Sequence, residues 1–359
     1  MSVQAMKLAI VGCGNIASPY AKDLRNYPEI ELVGAFDLNA AQAAAFGATH
    51  GVKIYDTLDA LLADPAIGMI VNLTSFRAHY DVSARALRAG KHVYSEKPVA
   101  LTYADARDLI DIAAQHGVRL GCSPFTLMGE APQTAWREIR AGRIGTPRVV
   151  YAEVNHGRIE SWHPAPEEFY KVGPMIDVGV YPLAIVTAMF GAATRVQAYG
   201  ATLMRDRTRK DGVPYTVASP DFIVTMLELA SGVVVRLTTN FYVGSHAKQG
   251  ESIEFHGDAG SLFLPSWFAP NGEVFTSPFQ GTYESVPLVR AAADQFAWGQ
   301  GVWDMVTAIA TGRPHRCSAE HAAHMTDVLA AVNQSIADGR PVALESHFTP
   351  PAPMDWAAS

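Results

Sequence analysis

The sequence predicts a parallel, doubly wound α/β domain followed by an α+β domain with a large, mainly antiparallel, open-faced sheet. Three observations lead there. Between Lys7 and Cys122, short apolar or β-branched runs alternate with stretches of helical period. Beyond Gly142 the runs lengthen, alternate with period two and pair around glycine turns. A chain of 359 residues, 49% hydrophobic and 18% charged, is long enough for two hydrophobic cores. The expected division is 1–124 and 125–359, with the boundary near Ser123-Pro124.

Six runs supply the strands of the first domain: KLAIVG, ELVGAFD, VKIY, GMIVNLT, HVYSEK and VRLGCS. Between them lie helical stretches such as AHYDVSARALRAG, ending at Gly90, and TYADARDLIDIAAQHG, with Thr102 as N-cap and Gly117 just past its end. Short buried strands separated by helices pair in parallel, because the crossovers cover both faces of the sheet. Six of them suit the strand order 3-2-1-4-5-6.

In the second domain a helix ending at Gly142 precedes the strand TPRVVYAEVNHG. DFIVTMLELASGVVVRLTTNFYVG reads as a hairpin turning at Ala230-Ser231-Gly232, and ESIEFHGDAGSLFLP as another turning at Gly257-Asp258-Ala259-Gly260. Helices are expected over Met175 to Phe190, in QFAWGQGVWDMVTAIATG and in SAEHAAHMTDVLAAVNQSIADG. No internal repeat or low-complexity segment is visible.

The first strand runs into GCGNIA, placing Gly12, Gly14 and Ala17 in a GxGxxA pattern between a strand and a helix. Such a loop turns tightly at the first glycine, lets a pyrophosphate reach the backbone at the second and packs helix on strand at the third. The next strand ends in Asp37, roughly 20 residues on, where a carboxylate can hold ribose hydroxyls. The pattern predicts dinucleotide binding, and an acid followed by Leu38 and Asn39 favours NAD over NADP. The plain alternative is a strand-turn-helix in which Asp37 caps the next helix.

A net charge of −7 without long blocks of like charge gives no field for nucleic acid or an anionic membrane, so the expected partner is a small molecule. Cys13, Cys122 and Cys317 are widely spaced, no export signal opens the chain and no apolar run spans a bilayer, which predicts a cytoplasmic protein. No metal is expected, since His156 and His163 lack ligand spacing with other donors. An apolar sheet face left uncovered by helices predicts a homodimer or homotetramer through the second-domain sheet.

Four segments, in order along nearly the whole chain, resemble the glucose-fructose oxidoreductase / inositol dehydrogenase / rhizopine catabolism (Gfo/Idh/MocA) family. They are GCGNIA, NLTSFRAHYDVSARALRAGKHVYSEKPVALT, AGRIGTPR and GPMIDVGVYPLAIVTAMFG. The last thirty or so residues and Leu203 to Ser219 match loosely. The family's EKP motif falls on Glu96, Lys97 and Pro98, and its aspartate followed four residues later by histidine or tyrosine falls on Asp177 and Tyr181. The resemblance implies nucleotide contacts from Gly12, Gly14, Asn15, Ile16, Asp37, Thr74, Ser75, His79, Glu96 and Lys97. It implies catalysis by Lys97, Tyr181 and Asp177 on a carbohydrate or polyol.

The chemistry agrees with those positions. Hydride transfer from an alcohol needs a base for the hydroxyl proton, and the reverse needs an acid. Tyr181 suits that role, and the Lys97 ammonium would favour its phenolate and polarise the same oxygen. Each also has a plain structural reading: Lys97 as a surface lysine, Tyr181 as a core aromatic and Asp177 as an acid at a helix N-terminus. Asn155, Arg158, Trp162 and His163, with Lys97, Asp177 and Tyr181, are candidate substrate contacts, although so mixed a segment is also the composition of an ordinary surface loop. Two other outcomes stay open: internally recycled NAD without net redox change, and a nucleotide-sensing regulator without turnover.

Overall fold

The computed structural model describes residues 5–358. The expectation that no export signal is present rests partly on residues 1–4, which lie outside the described residues. The chain runs through β1 (Met6–Val11), α1 (Ala17–Leu24), β2 (Ile30–Phe36), α2 (Ala40–His50), β3 (Lys53–Ile54), α3 (Leu58–Ala63), β4 (Met69–Asn72), α4 (His79–Arg88), β5 (His92–Ser95), α5 (Tyr103–Gln115) and β6 (Leu120–Cys122). These six strands form one parallel sheet in the order β3-β2-β1-β4-β5-β6. It is the doubly wound order expected from the alternating runs. Met69, Ile70, Val71 and Val93 are wholly buried, as central strands covered on both faces must be. The strand order reverses between β1 and β4, which opens a crevice at their carboxyl ends.

Next come α6 (Glu130–Arg140), β7 (Pro147–Asn155), α7 (Glu167–Val172), one π-helical turn (Met175–Gly179), α8 (Val180–Phe190), β8 (Ala193–Ala201), β9 (Asp206–Thr208), β10 (Pro214–Thr216), β11 (Phe222–Leu229), β12 (Val234–Asn240), β13 (Ile253–Gly257), β14 (Gly260–Leu264), β15 (Val274–Pro278) and β16 (Glu284–Val286). Then follow α9 (Gln300–Thr311), α10 (Ala319–Asp338) and β17 (Val342–Ala343). Nine strands build the second sheet in the order β16-β15-β14-β13-β7-β12-β11-β8-β17, and β9 and β10 form a separate hairpin. The sheet is mixed rather than purely hairpin-built, because β7 pairs parallel to β12 and antiparallel to β13. One face packs on helices, with Phe190 of α8 against Phe255 of β13 at 6.0 Å between rings. The other leaves Tyr151, Met226 and Tyr199 exposed.

The chain divides into two compact units, Met1–Phe125 with Ala297–Thr326 and Thr126–Phe296 with Asp327–Ser359. This differs from the expected single division in the return of α9 and the start of α10 to the first unit. The return is fixed by packing. Trp303 stacks on Tyr27, with ring centroids 5.6 Å apart, and the Gly299 N–H donates to Asp23 at 2.7 Å. The Cys122 N–H donates to the Cys317 carbonyl at 3.0 Å beside β6.

Candidate cofactor and catalytic site

The glycine loop lies on the crevice. A cleft of about 620 Å³ is lined by Gly12, Gly14, Asp37, Thr74 and Ser75 from the expected set, and also by Leu38, Gln42, Asp56, Asp59 and Arg85. Gly12 is obligatory, since its φ is +93° and a Cβ there would sit 2.7 Å from the Leu73 carbonyl group and the Thr74 nitrogen. Gly14 is glycine for another reason. The nearest atom to a Cβ at that position is Gln42 Nε2 at 3.8 Å, so the space in front of it is open to a ligand.

Asp37 at the end of β2 accepts the Cys13 N–H on Oδ2 and the Asn39 N–H on Oδ1, each at 2.7 Å. It both holds the loop and presents its remaining lone pairs to the cleft. Gln42 steadies the loop from α2, donating to the Cys13 carbonyl at 2.8 Å. Burial, then the Asp37 charge, push the Cys13 thiol up to about 12, so it stays protonated. An open glycine cradle with a carboxylate at its rim fits a dinucleotide. Asn15 and Ile16 lead from this loop into α1 without lining the cleft.

Asn72, at the end of β4, shapes the next loop. Its amide donates to the His79 carbonyl and to Ser83, and its oxygen accepts the Thr74 hydroxyl at 2.7 Å. His79 is buried behind that loop, with Nε2 3.0 Å from the Thr74 carbonyl and Nδ1 2.7 Å from the Pro98 carbonyl. Burial holds its imidazole below the ordinary range, opposed by those carbonyls and by Glu96. The neutral ring carries one N–H, which serves one carbonyl at a time. His79 thus links the Thr74-Ser75 loop to the turn after β5.

Glu96 is buried, accepting the Tyr20 hydroxyl on Oε1 at 2.7 Å and the Lys97 N–H on Oε2 at 3.1 Å. Its carboxylate orients the turn that follows β5. Lys97 is half-buried there, beyond the parallel pairing of β4 with β5. Tyr20 and Gln42 carry no local sequence signal, because each acts on a segment distant along the chain, Glu96 and Cys13 respectively.

In the second unit, Asp177 lies in the π-helical turn and Tyr181 in the first turn of α8. Both are half-buried on a segment whose neighbours are mostly buried. The Tyr181 ring stacks on Trp267 at 5.3 Å with 14° between planes, and Phe268 meets it edge-on. Two aromatic walls therefore fix the tyrosine ring. Trp162 is 46% exposed amid His156, His163 and Phe169, all edge-on to it. Arg158 is exposed, its guanidinium 4.8 Å from the centre of the Tyr242 ring. Asn155 is 8% exposed and internally bonded, donating to the Gln249 carbonyl and accepting from Asn240. Those bonds make it a support for β7 and β12. Among the described residues no group of three or more His, Cys, Asp or Glu side chains is placed to hold a metal ion.

The doubly wound sheet and its glycine cradle define a dinucleotide-binding domain. A model of the oxidoreductase family with NAD-binding Rossmann fold matches residues 6–123, and a model of the GFO/IDH/MocA C-terminal domain matches residues 133–263. The chain belongs to the Gfo/Idh/MocA family of oxidoreductases.

Among its relatives, D-glucoside 3-dehydrogenase of Escherichia coli is 26% identical, aligned over 77% of this chain and 82% of that protein. dTDP-3,4-didehydro-2,6-dideoxy-alpha-D-glucose 3-reductase of Streptomyces violaceoruber is 29% identical over 58% of this chain and 60% of that protein. In fold, the chain resembles an NAD-binding oxidoreductase from Klebsiella pneumoniae, with TM-score 0.83, 20% identity and coverage of 94% of this chain and 99% of that one. Among the described residues no helix is long and apolar enough to cross a membrane.

Proposed function

We propose that this protein transfers hydride between NAD and a hydroxyl or carbonyl of a sugar or cyclic polyol, with Tyr181 as proton acceptor or donor and Lys97 polarising the substrate oxygen. The observation that carries this reading is the open cradle at Gly14 beside the Asp37 carboxylate, in a chain that also holds the intact Glu96-Lys97-Pro98 turn. Bound nicotinamide supplies the hydride acceptor or donor. The chain's own groups handle the proton: the Tyr181 phenolate, favoured by the Lys97 ammonium, takes it from the substrate alcohol, and in carbonyl reduction the Tyr181 hydroxyl returns it while the ammonium stabilises the developing oxyanion. Asp177, on the same helical segment, orients the substrate. Arg158, Trp162 and His163 meet the sugar, an aromatic ring stacking on its apolar face.

Three carboxylates, Asp37, Asp56 and Asp59, line the cleft, and its Arg85 is ion-paired to Asp59 at 2.5 Å. A 2′-phosphate would meet net repulsion there, so NAD is the proposed cofactor. The sheet face bearing Tyr151, Met226 and Tyr199 is the proposed contact of a homodimer or homotetramer, and the cytoplasm the proposed compartment. A sharp monomer mass by light scattering at micromolar protein rules the oligomer out.

The deciding experiment is a spectrophotometric screen of NAD and NADP against aldoses, inositols, glycosides and dihydrodiols, with ring carbon 3 the first position to check in the products. Lys97→Met is expected to lower turnover by about 10³-fold or more while the Kd for NAD stays within about 3-fold. Near-normal turnover in that variant refutes the role. NAD that copurifies without accumulating as NADH indicates internal recycling, and NAD binding with no turnover on any sugar indicates a regulator.

A further inference from the structure

The segment carrying the candidate sugar contacts is bolted from outside by the β9–β10 hairpin. Arg207 of β9 is 3% exposed, and its guanidinium reaches three parts of the second unit at once. It donates to Glu160 at 2.8 Å, to the Tyr170 hydroxyl at 2.7 Å and to Asp221 at 2.5 Å, while Nε donates to the Met204 carbonyl at 3.0 Å. The guanidinium also lies 4.4 Å from the centre of the Tyr170 ring. Glu160 in turn accepts the hydroxyls of Tyr170 at 2.6 Å and Tyr215 of β10 at 3.1 Å.

Two of these partners flank the exposed Trp162. Glu160 stands two residues before it, in a turn closed by the Trp162 N–H on the Ile159 carbonyl at 3.1 Å. Tyr170 adjoins Phe169, whose ring is 5.5 Å from that of Trp162. A buried cation is costly to desolvate, and an ion network of this kind contributes little net stability compared with apolar replacement of all its members, whereas removing the arginine alone leaves the buried Glu160 and Asp221 carboxylates uncompensated. What it does provide is geometry, since a planar fork fixes the directions of its acceptors where a flexible ammonium cannot.

We propose that Arg207 is a positioning residue for sugar recognition, holding residues 159–170 so that the Trp162 ring is presented to the substrate. This rests on the reading above that Trp162 meets the sugar. The hairpin occupies the part of the chain that resembles the family loosely, so this support belongs to the variable part of the domain.

The test is a double-mutant cycle on the full-length protein, Arg207→Met and Trp162→Ala. The readouts are KM and kcat for methyl β-D-glucopyranoside and myo-inositol, and Kd for NAD. Arg207→Met is expected to raise the sugar KM about 10-fold, with kcat and the NAD Kd within about 2-fold, and Arg207→Lys to restore part of that loss. In the Trp162→Ala background the same change is expected to cost under about 2-fold, because the ring it positions is gone.

A KM unchanged by Arg207→Met, or additive losses in the double variant, overturns the proposal while leaving the substrate reading intact. A KM unchanged by Trp162→Ala overturns the substrate reading and this proposal with it, as does a lack of turnover on these probes and on the wider screen. Should Arg207→Met fail to fold, Tyr215→Phe removes one bond to Glu160. It is expected to raise KM about 3-fold in the parent and not in Trp162→Ala, and equal rises in both overturn the role.

Discussion

At the residue scale, the two glycines of the cofactor loop separate fold from function. A methyl at Gly12 would strike backbone atoms of Leu73 and Thr74 at 2.7 Å in a conformation that L-residues avoid. A methyl at Gly14 would meet nothing nearer than 3.8 Å. Gly12→Ala is therefore expected to lower the melting temperature by many degrees or abolish soluble expression. Gly14→Ala is expected to melt within about 2 °C of the parent and to weaken NAD by about 10-fold or more, checked by calorimetry and NAD titration. If Gly14→Ala binds NAD normally, the pyrophosphate does not pass over it.

Cys13 lies between these glycines, and with its thiol pushed up to about 12 it is roughly 10⁻⁴ ionised at pH 8. Iodoacetamide at that pH is expected to leave native Cys13 unlabelled by mass spectrometry, and rapid labelling would show that the loop opens. Gly12, Gly14 and Asp37 were legible because strand, turn and strand end follow one another locally. Tyr20 and Gln42 were not, because Tyr20 reaches Glu96 across 76 positions and Gln42 reaches Cys13 across 29. Asn155 shows the opposite limit, for nothing in the sequence tells that this polar residue at the end of β7 bonds to the Gln249 carbonyl and to Asn240.

At the element scale, the six parallel strands were readable because burial on both faces leaves continuous apolar runs, and caps mark the intervening helices. Thr102 is one such cap, accepting the Asp105 N–H at 3.1 Å at the start of α5. Thr102→Ala is expected to cost about 1 kcal/mol by denaturant titration with unchanged kcat, and an unchanged midpoint would show that the cap contributes nothing. The π-helical turn before α8 was not readable, since Met175 to Phe190 has one unbroken helical pattern. It forms where Gly179 lies so close to β12 that a Cβ would be 2.9 Å from Thr239. The short strands β9 and β10 were equally silent. They are largely polar, and the side chains that anchor their hairpin, Arg207 and Tyr215, do so on Glu160, Tyr170 and Asp221, 14 to 55 residues away. The parallel pairing of β7 with β12 was hidden for a related reason, because register between distant strands leaves no trace in either one.

At the scale of the whole molecule, the return of α9 and α10 carries a consequence for acid stability. Among the described residues, His50, His79, His92, His315 and His321 have their titration held down, with burial the foremost cause, and these five belong to the first unit. For His321, burial and then the nearby His324 lower the value to about 3. A base depressed on folding takes up its proton more readily in the unfolded chain, so its contribution is whole above the unfolded value of about 6.5 and is lost as pH falls towards the folded one. His321 alone then removes about 2 kcal/mol between pH 7 and pH 5.

The expected outcome is that acid loosens the cofactor unit before the sheet unit. Hydrogen exchange, corrected for intrinsic rate, should rise more in β1 to β6 than in β7 to β14 between pH 7 and pH 5. His321→Gln should lessen that rise, and saturating NAD should oppose it by binding the folded form. Equal protection in both units at pH 5, or a His321→Gln variant with the same acid sensitivity as the parent, would contradict the assignment. The point reaches back to function, because acid would remove activity through loss of the nucleotide site even where the groups proposed to meet the sugar keep their places.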